Sequence, residues 1–147
     1  MSQSVNYDQD FYSWLLHNAQ LLRHGRFTEA DIENIAEELE SMGKRDKREL
    51  ISRFAVLLAH LLKWQYQADR RSKSWEKTID EQRIQIHLIL EDSPSLKYQL
   101  EQRIADGYRL AIKKAVKETG LKPNVFSEKC PYSLELILDE NFYPGNM

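Results

Sequence analysis

The chain has 147 residues, 41% of them apolar and 30% charged, which suits one globular domain with a real core and argues against disorder. Its 21 basic and 23 acidic residues leave a formal net charge of -2, so no global field draws it to a polyanion or an anionic membrane. The single cysteine, Cys130, excludes an internal disulfide and any multi-cysteine metal site.

Residues 1–7 read as a polar N-terminal tail without the apolar run of a signal peptide, and no later stretch approaches the ~20 apolar residues of a membrane span. A cytoplasmic protein is the expectation. A first helix is predicted from Asp8, as N-cap, to His24, with Phe11, Trp14, Leu15, Ala19 and Leu22 on one face and Gly25 as its stop. A second is predicted to start at Thr28, with Asp31 in a variant capping box and Phe27 stapled against Ile32. Its stripe of Ile32, Ile35, Ala36, Leu39, Met42 and Gly43 is interrupted by the charged run Lys44 to Glu49. Beyond it, Leu50, Phe54, Leu57, Leu61 and Trp64 form one seam, and Ile51, Ala55, Leu58 and Leu62 a second. Two adjacent seams require partners on two sides, so this half is expected at the centre of the fold. Periodicity leaves open whether Thr28 to Asp69 is one helix or two hinged near Gly43.

A third helix is predicted after Ser74 as cap, carrying Trp75, Ile79, Ile86, Ile89 and Leu90. Ser93 and Pro94 suggest the start of a fourth, with Leu96, Leu100, Ile104, Tyr108, Ala111 and Ala115 inward, ended by Gly120 and Pro123. Residues 121–147 read as an irregular aromatic strap with a short helix near Ser133 to Asp139. The expected fold is therefore all-α: one domain over 1–147, a bundle of four to five helices with a long central helix.

Several strings in order give the chain a recognisable likeness: YDQDFY from Tyr7, EELESMG from Glu37, HLLKW from His60, SWEKTI from Ser74, DSPSL from Asp92, ETGL from Glu118 and CPYSLELIL from Cys130. Over nearly its whole length it resembles the bacterial family "domain of unknown function 29", frequent in cyanobacteria. The resemblance implies an all-helical single domain and brings no catalytic or binding residues with it.

Chemistry has few places to sit. Asp31 and Glu38 share one flank of the second helix, where they would suit a hard cation or an acid and base pair. Carboxylates near the positive end of a helix have a plainer explanation in its dipole. His60 and Lys63 lie opposite the leucine seams and, if covered, need partners that the acidic segment would supply. Asp31, Glu38, His60 and Lys63 are thus the candidate polar cluster, for general acid-base chemistry or for structure. Arg70, Arg71, Lys73, Trp75 and Lys77 form a basic-aromatic patch able to hold a phosphate backbone and stack a base, although an interhelical connection uses the same residue types and the acidic net charge argues against a reader of DNA. His87 with Glu91, and His17 with His24, are too few to complete a ligand set, so neither a metal nor a cofactor is expected. Without a phosphate loop, nucleophile elbow or dinucleotide fingerprint, the leading expectation is a non-enzymatic interaction or regulatory protein with a protein partner or a second copy of itself. A small hydrolase or nuclease using the carboxylate and histidine cluster is the alternative, and nucleic-acid binding through the Arg70 to Lys77 patch the third.

Overall fold

The computed structural model describes residues 6–145, so most of the predicted N-terminal tail and the last two residues lie outside the described part. Among the described residues there are five α-helices and no strands: α1 (Phe11–Arg23), α2 (Ile32–Tyr66), α3 (Lys73–Asp92), α4 (Leu100–Thr119) and α5 (Leu134–Leu138). Three short 3₁₀ turns join them at Ala68–Arg70, Pro94–Lys97 and Pro123–Val125. None of these helices is long and apolar enough to cross a membrane. Residues 32–66 form one continuous helix.

The packing gathers into two compact units, one ending at Arg45 and one beginning at Asp46. The division falls inside α2, where no proline, glycine-rich linker or loop marks it.

In the first unit, Asp10 rather than Asp8 caps α1, its carboxylate accepting from the Ser13 N–H at 3.1 Å. At the other end Gly25 (φ 70°) takes the left-handed conformation that favours glycine, its N–H bonding to Leu22 O while Arg26 N–H reaches Leu21 O. Residues 27–29 form a turn, and α2 begins at Ile32, four residues after the predicted start at Thr28. The reason is tertiary: Asn18 Oδ1 accepts the Asp31 N–H at 2.8 Å, Trp14 Nε1 donates to the Asp31 carboxylate at 3.0 Å, and the Asp31 carbonyl accepts the helical N–H of Ile35. Asp31 therefore does the capping expected of Thr28. The predicted staple is not made, since Phe27 and Ile32 are both exposed.

The second unit holds the main core, to which both predicted seams of α2 contribute. Leu50, Phe54, Leu57 and Leu61 are fully buried, as are Ala55, Leu58 and Leu62, while Ile51 and Trp64 sit at the margin. Ile79, Ile86 and Leu90 of α3 and Leu100, Ile104, Tyr108, Ala111 and Ala115 of α4 close over them, as their spacing predicts. Gly107 lets α4 approach α2 closely: a Cβ there would stand 2.9 Å from Phe54 Cβ and 3.2 Å from Ile51 O.

Two starts differ from expectation here. Ser72, not Ser74, caps α3 by accepting the Trp75 N–H. Pro94 opens a 3₁₀ turn instead of α4, and the chain passes through Gln99 in a left-handed conformation (φ 58°) before α4 begins at Leu100.

The C-terminal strap packs on this core as expected. Phe126, Tyr132 and Ile137 are buried, Tyr132 O–H donates to Gln65 Oε1 at 2.6 Å, and Tyr108 O–H donates to Ser127 O at 2.6 Å. Ser133 caps α5 within the predicted Ser133 to Asp139 stretch.

Candidate interaction surface

The predicted polar cluster divides between the units. In the first, Asp31 accepts from Asn34 Nδ2 and Trp14 Nε1, and these bonds hold its carboxyl below the usual range. Glu38 accepts from Tyr7 O–H and lies 3.8 Å from Arg45 Nη2. That bond to Glu38 pushes the Tyr7 phenol up to about 12. Both carboxylates fasten helices.

In the second unit, Lys63 is almost wholly buried, with Nζ 3.0 Å from Glu118 Oε2 and 5.0 Å from the centre of the Trp75 ring. His60 Nδ1 lies 2.9 Å from Val56 O. A carbonyl only accepts, so Nδ1 carries the proton and Nε2 is left with a lone pair. Burial, outweighing the bond to Val56, lowers the imidazole below its ordinary 6.5 and keeps it neutral at pH 7. Each unit thus satisfies its share of the cluster from within.

The basic-aromatic patch is partly engaged too. Arg71 donates through Nε to Trp64 O at 2.7 Å and lies over the Trp64 ring, while the ring of Trp75 faces Lys63. Arg70, Lys73 and Lys77 are exposed. Cys130 is half-buried with its thiol pushed up by that burial, which disfavours the reactive thiolate. Among the described residues, no three His, Cys, Asp or Glu side chains gather as a metal ion would require.

Two features were not anticipated. The first is Arg83, 2% exposed at the centre of α3. Its Nε donates to Ile137 O at 2.8 Å and its Nη2 to Phe142 O at 2.8 Å, so the guanidinium grips the strap by its main chain. The signal was present in the spacing: Arg83 is four after Ile79, three before Ile86 and seven before Leu90, squarely on the buried stripe. Beside it Asp80, His87, Leu138, Glu140 and Asn141 help line a shallow cavity of about 420 Å³.

The second is an apolar surface on the first unit. Nine of the sixteen exposed large apolar side chains belong to it, although it supplies only residues 6–45 of the described 6–145. At about 100° per residue, Trp14, Asn18 and Leu21 occupy the buried side of α1, and Phe11, Leu22, Leu15, Ala19 and Tyr12 continue the apolar arc to roughly 180° in all, with Leu16 beyond Arg23. That is well above the roughly 100° of one packed face. Of the predicted stripe of α1, Trp14 is buried and Ala19 half-buried, while Phe11, Leu15 and Leu22 are each about 40% exposed; Tyr12, beside them, is 70% exposed. On α2 the same holds, with Ile32, Leu39 (64%) and Met42 open to solvent. Large exposed apolar side chains are thus concentrated on this unit.

No curated protein and no solved structure matches the chain. The family model described as "Domain of unknown function DUF29" matches residues 6–143, and the chain belongs to that family.

Proposed function

We propose that this protein is an interaction module without chemistry of its own, which docks a protein partner through the open apolar face of α1 and the first turns of α2. The observation that carries this reading is the exposure of Tyr12, Leu15, Leu16, Leu39 and Met42 in a unit too small to cover them. Isolated apolar residues on a surface are ordinary; this concentration is not. A bacterial, cytoplasmic setting accompanies the reading, supported by the family likeness and the lone cysteine.

The hydrolase or nuclease reading has less behind it. Asp31 and Glu38 already accept hydrogen bonds from Trp14, Asn34 and Tyr7, and only His60 keeps a lone pair beside a charged pair. Nucleic-acid binding would rest on Arg70, Lys73 and Lys77, with Trp75 first having to part from Lys63.

The test is gentle affinity capture with the wild type and with Leu15→Glu/Leu39→Glu. Both positions are exposed, so the variant should keep its helical content. A partner, whether another protein or a further copy, held by the wild type and lost in the variant supports the reading. Partners retained equally by both, or none on either, overturn it.

A further inference from the structure

Within the first unit, the exposed apolar side chains of α1 and α2 fall on one face of a helical hairpin. Tyr7, just ahead of α1, bonds to Glu38, whereas Trp14 and Asn18 bond to Asp31 at the start of α2, so the two helices run antiparallel. Viewed from its N-terminus, α1 turns Trp14, Asn18 and Leu21 inward, and Phe11, Leu22, Leu15 and Tyr12 follow clockwise. On α2, Asn34 and Glu38 turn toward α1, and Met42, Leu39 and Ile32 follow clockwise as well. In antiparallel neighbours the same rotation leads to the same face. The groove between the helices is therefore lined with apolar side chains from both, and along α1 it runs about 17 Å from Phe11 to Leu22.

The rim of that face is acidic. Residues 6–45 carry eight acidic and four basic side chains, although residues 46–147 carry 15 acidic and 17 basic. Further clockwise on α2, beyond the stripe, come Glu40, Glu33 and Glu37, all exposed and in no ion pair among the described residues, with Lys44 the single base among them. Asp8 and Asp10 stand exposed where α1 begins. On the α1 side only Arg23 opposes this sign, since Arg26 is paired with Glu29. The helix dipole accounts for Glu33 in the first turn of α2, but Glu37 and Glu40 lie beyond its reach. A second copy would bring the same excess of acid to the contact, and an anionic membrane would repel it; a cationic partner meets neither obstacle.

We propose that the occupant is a basic amphipathic helix of another protein, three to four turns long, lying in this groove with its apolar side on the α1 arc and the α2 stripe and its lysines or arginines toward Glu33, Glu37 and Glu40. This rests on the interaction reading above and adds the chemistry of the partner.

The experiment titrates the full chain with two synthetic helical peptides of about fifteen residues that share one leucine stripe, one flanked by lysines and the other by glutamates, followed by fluorescence anisotropy. The lysine peptide should bind about tenfold or more tightly than the glutamate peptide, and the margin should shrink as salt rises from about 50 to 500 mM. Glu33→Lys/Glu37→Lys/Glu40→Lys, all at exposed positions, should reverse the preference while keeping the helical signal. Leu15→Gln/Leu39→Gln, which adds no charge, should weaken the lysine peptide about tenfold or more. Equal binding of the two peptides, binding of neither, or a preference that the triple change leaves intact overturns the proposal. A wild-type dimer in sedimentation, or binding to phosphatidylcholine vesicles, that Leu15→Gln/Leu39→Gln removes gives the face to a second copy or to lipid and overturns it too. A captured partner lost with Leu15→Glu/Leu39→Glu yet indifferent to the triple charge reversal overturns the basic helix alone. The absence of any partner, together with no peptide binding, overturns the interaction reading as well.

Discussion

Replacing Gly107 by alanine sets two effects of known sign against each other. In the middle of a helix the exchange gains about 0.8–1 kcal/mol from backbone entropy and propensity. At Gly107, however, the new Cβ would lie 2.9 Å from Phe54 Cβ, 3.2 Å from Ile51 O and 3.3 Å from Ala55 N. None of these is the far end of a flexible side chain, so relief requires α4 to move away from α2 through a filled core. Overpacking of that kind costs about 1–3 kcal/mol, which exceeds the gain. The net expectation is a loss of up to about 2 kcal/mol, or up to some 6 °C in Tm for a chain of this size. Gly43 provides the control, being helical and exposed with nothing within 4 Å of an added Cβ. There the same exchange should raise stability by about 0.5–1 kcal/mol. Urea and thermal unfolding followed by far-UV circular dichroism measure both. Trimming Phe54 to alanine should not rescue the Gly107 variant, because the contact is with Cβ and main chain rather than the ring. If Gly107→Ala stabilises the protein as Gly43→Ala does, the close approach of α2 and α4 is wrong.

Three further outcomes follow from individual groups. Arg83→Met should cost about 2–4 kcal/mol, the carbonyls it leaves unpaired outweighing the relief of a buried charge. Arg83→Lys should not rescue it, since an ammonium lacks the planar fork; unchanged hydrogen exchange across residues 134–143 would refute the grip. His60 is held below its ordinary 6.5 by burial, among the charges of Lys63, Glu118 and Lys114, so the unfolded chain takes up its proton first as pH falls. Stability should be full above about 6.5 and decline as pH drops through the lowered value, and His60→Gln should flatten that decline in urea titrations. A slope identical in both proteins would show that His60 is not buried in its neutral form. Gln99→Gly should raise Tm modestly, since glycine relieves about 1–2 kcal/mol of left-handed strain against a chain-entropy cost of about 0.5–1 kcal/mol; a fall of several degrees would mean that the side chain holds the entry to α4.

What could be read from the letters depended on how local the cause was. The seams of α2 after Leu50 and the stripe of α4 were legible because burial on a helix repeats with the helix itself, and both turned inward as spaced. The helix starts were less so. Asp8, Thr28 and Ser74 are all good caps, but Asp10, Asp31 and Ser72 stand near them, and for Asp31 the choice was made by Trp14 and Asn18, residues at least thirteen positions away. Along α1 the apolar letters were plain, yet an arc wider than one face does not say which part of it is used. Asn18 decides the matter by bonding to both Trp14 O and the Asp31 N–H, and it draws the neighbouring side inward. The candidate cluster failed to show its partners for the same reason. Lys63 found Glu118, fifty-five residues on, rather than the acids at the start of its own helix.

The grip of Arg83 on the strap has a consequence for how this protein can change. Its bonds go to the carbonyl oxygens of Ile137 and Phe142, and every residue type supplies a carbonyl. Holding by main chain tolerates drift in the outward letters of the segment, so exposed positions such as Glu135 can be rewritten without loosening the anchor. The same tolerance suits the laboratory: a cysteine placed at 135 and coupled to a fluorophore would ride on a fixed backbone and report when the strap lets go.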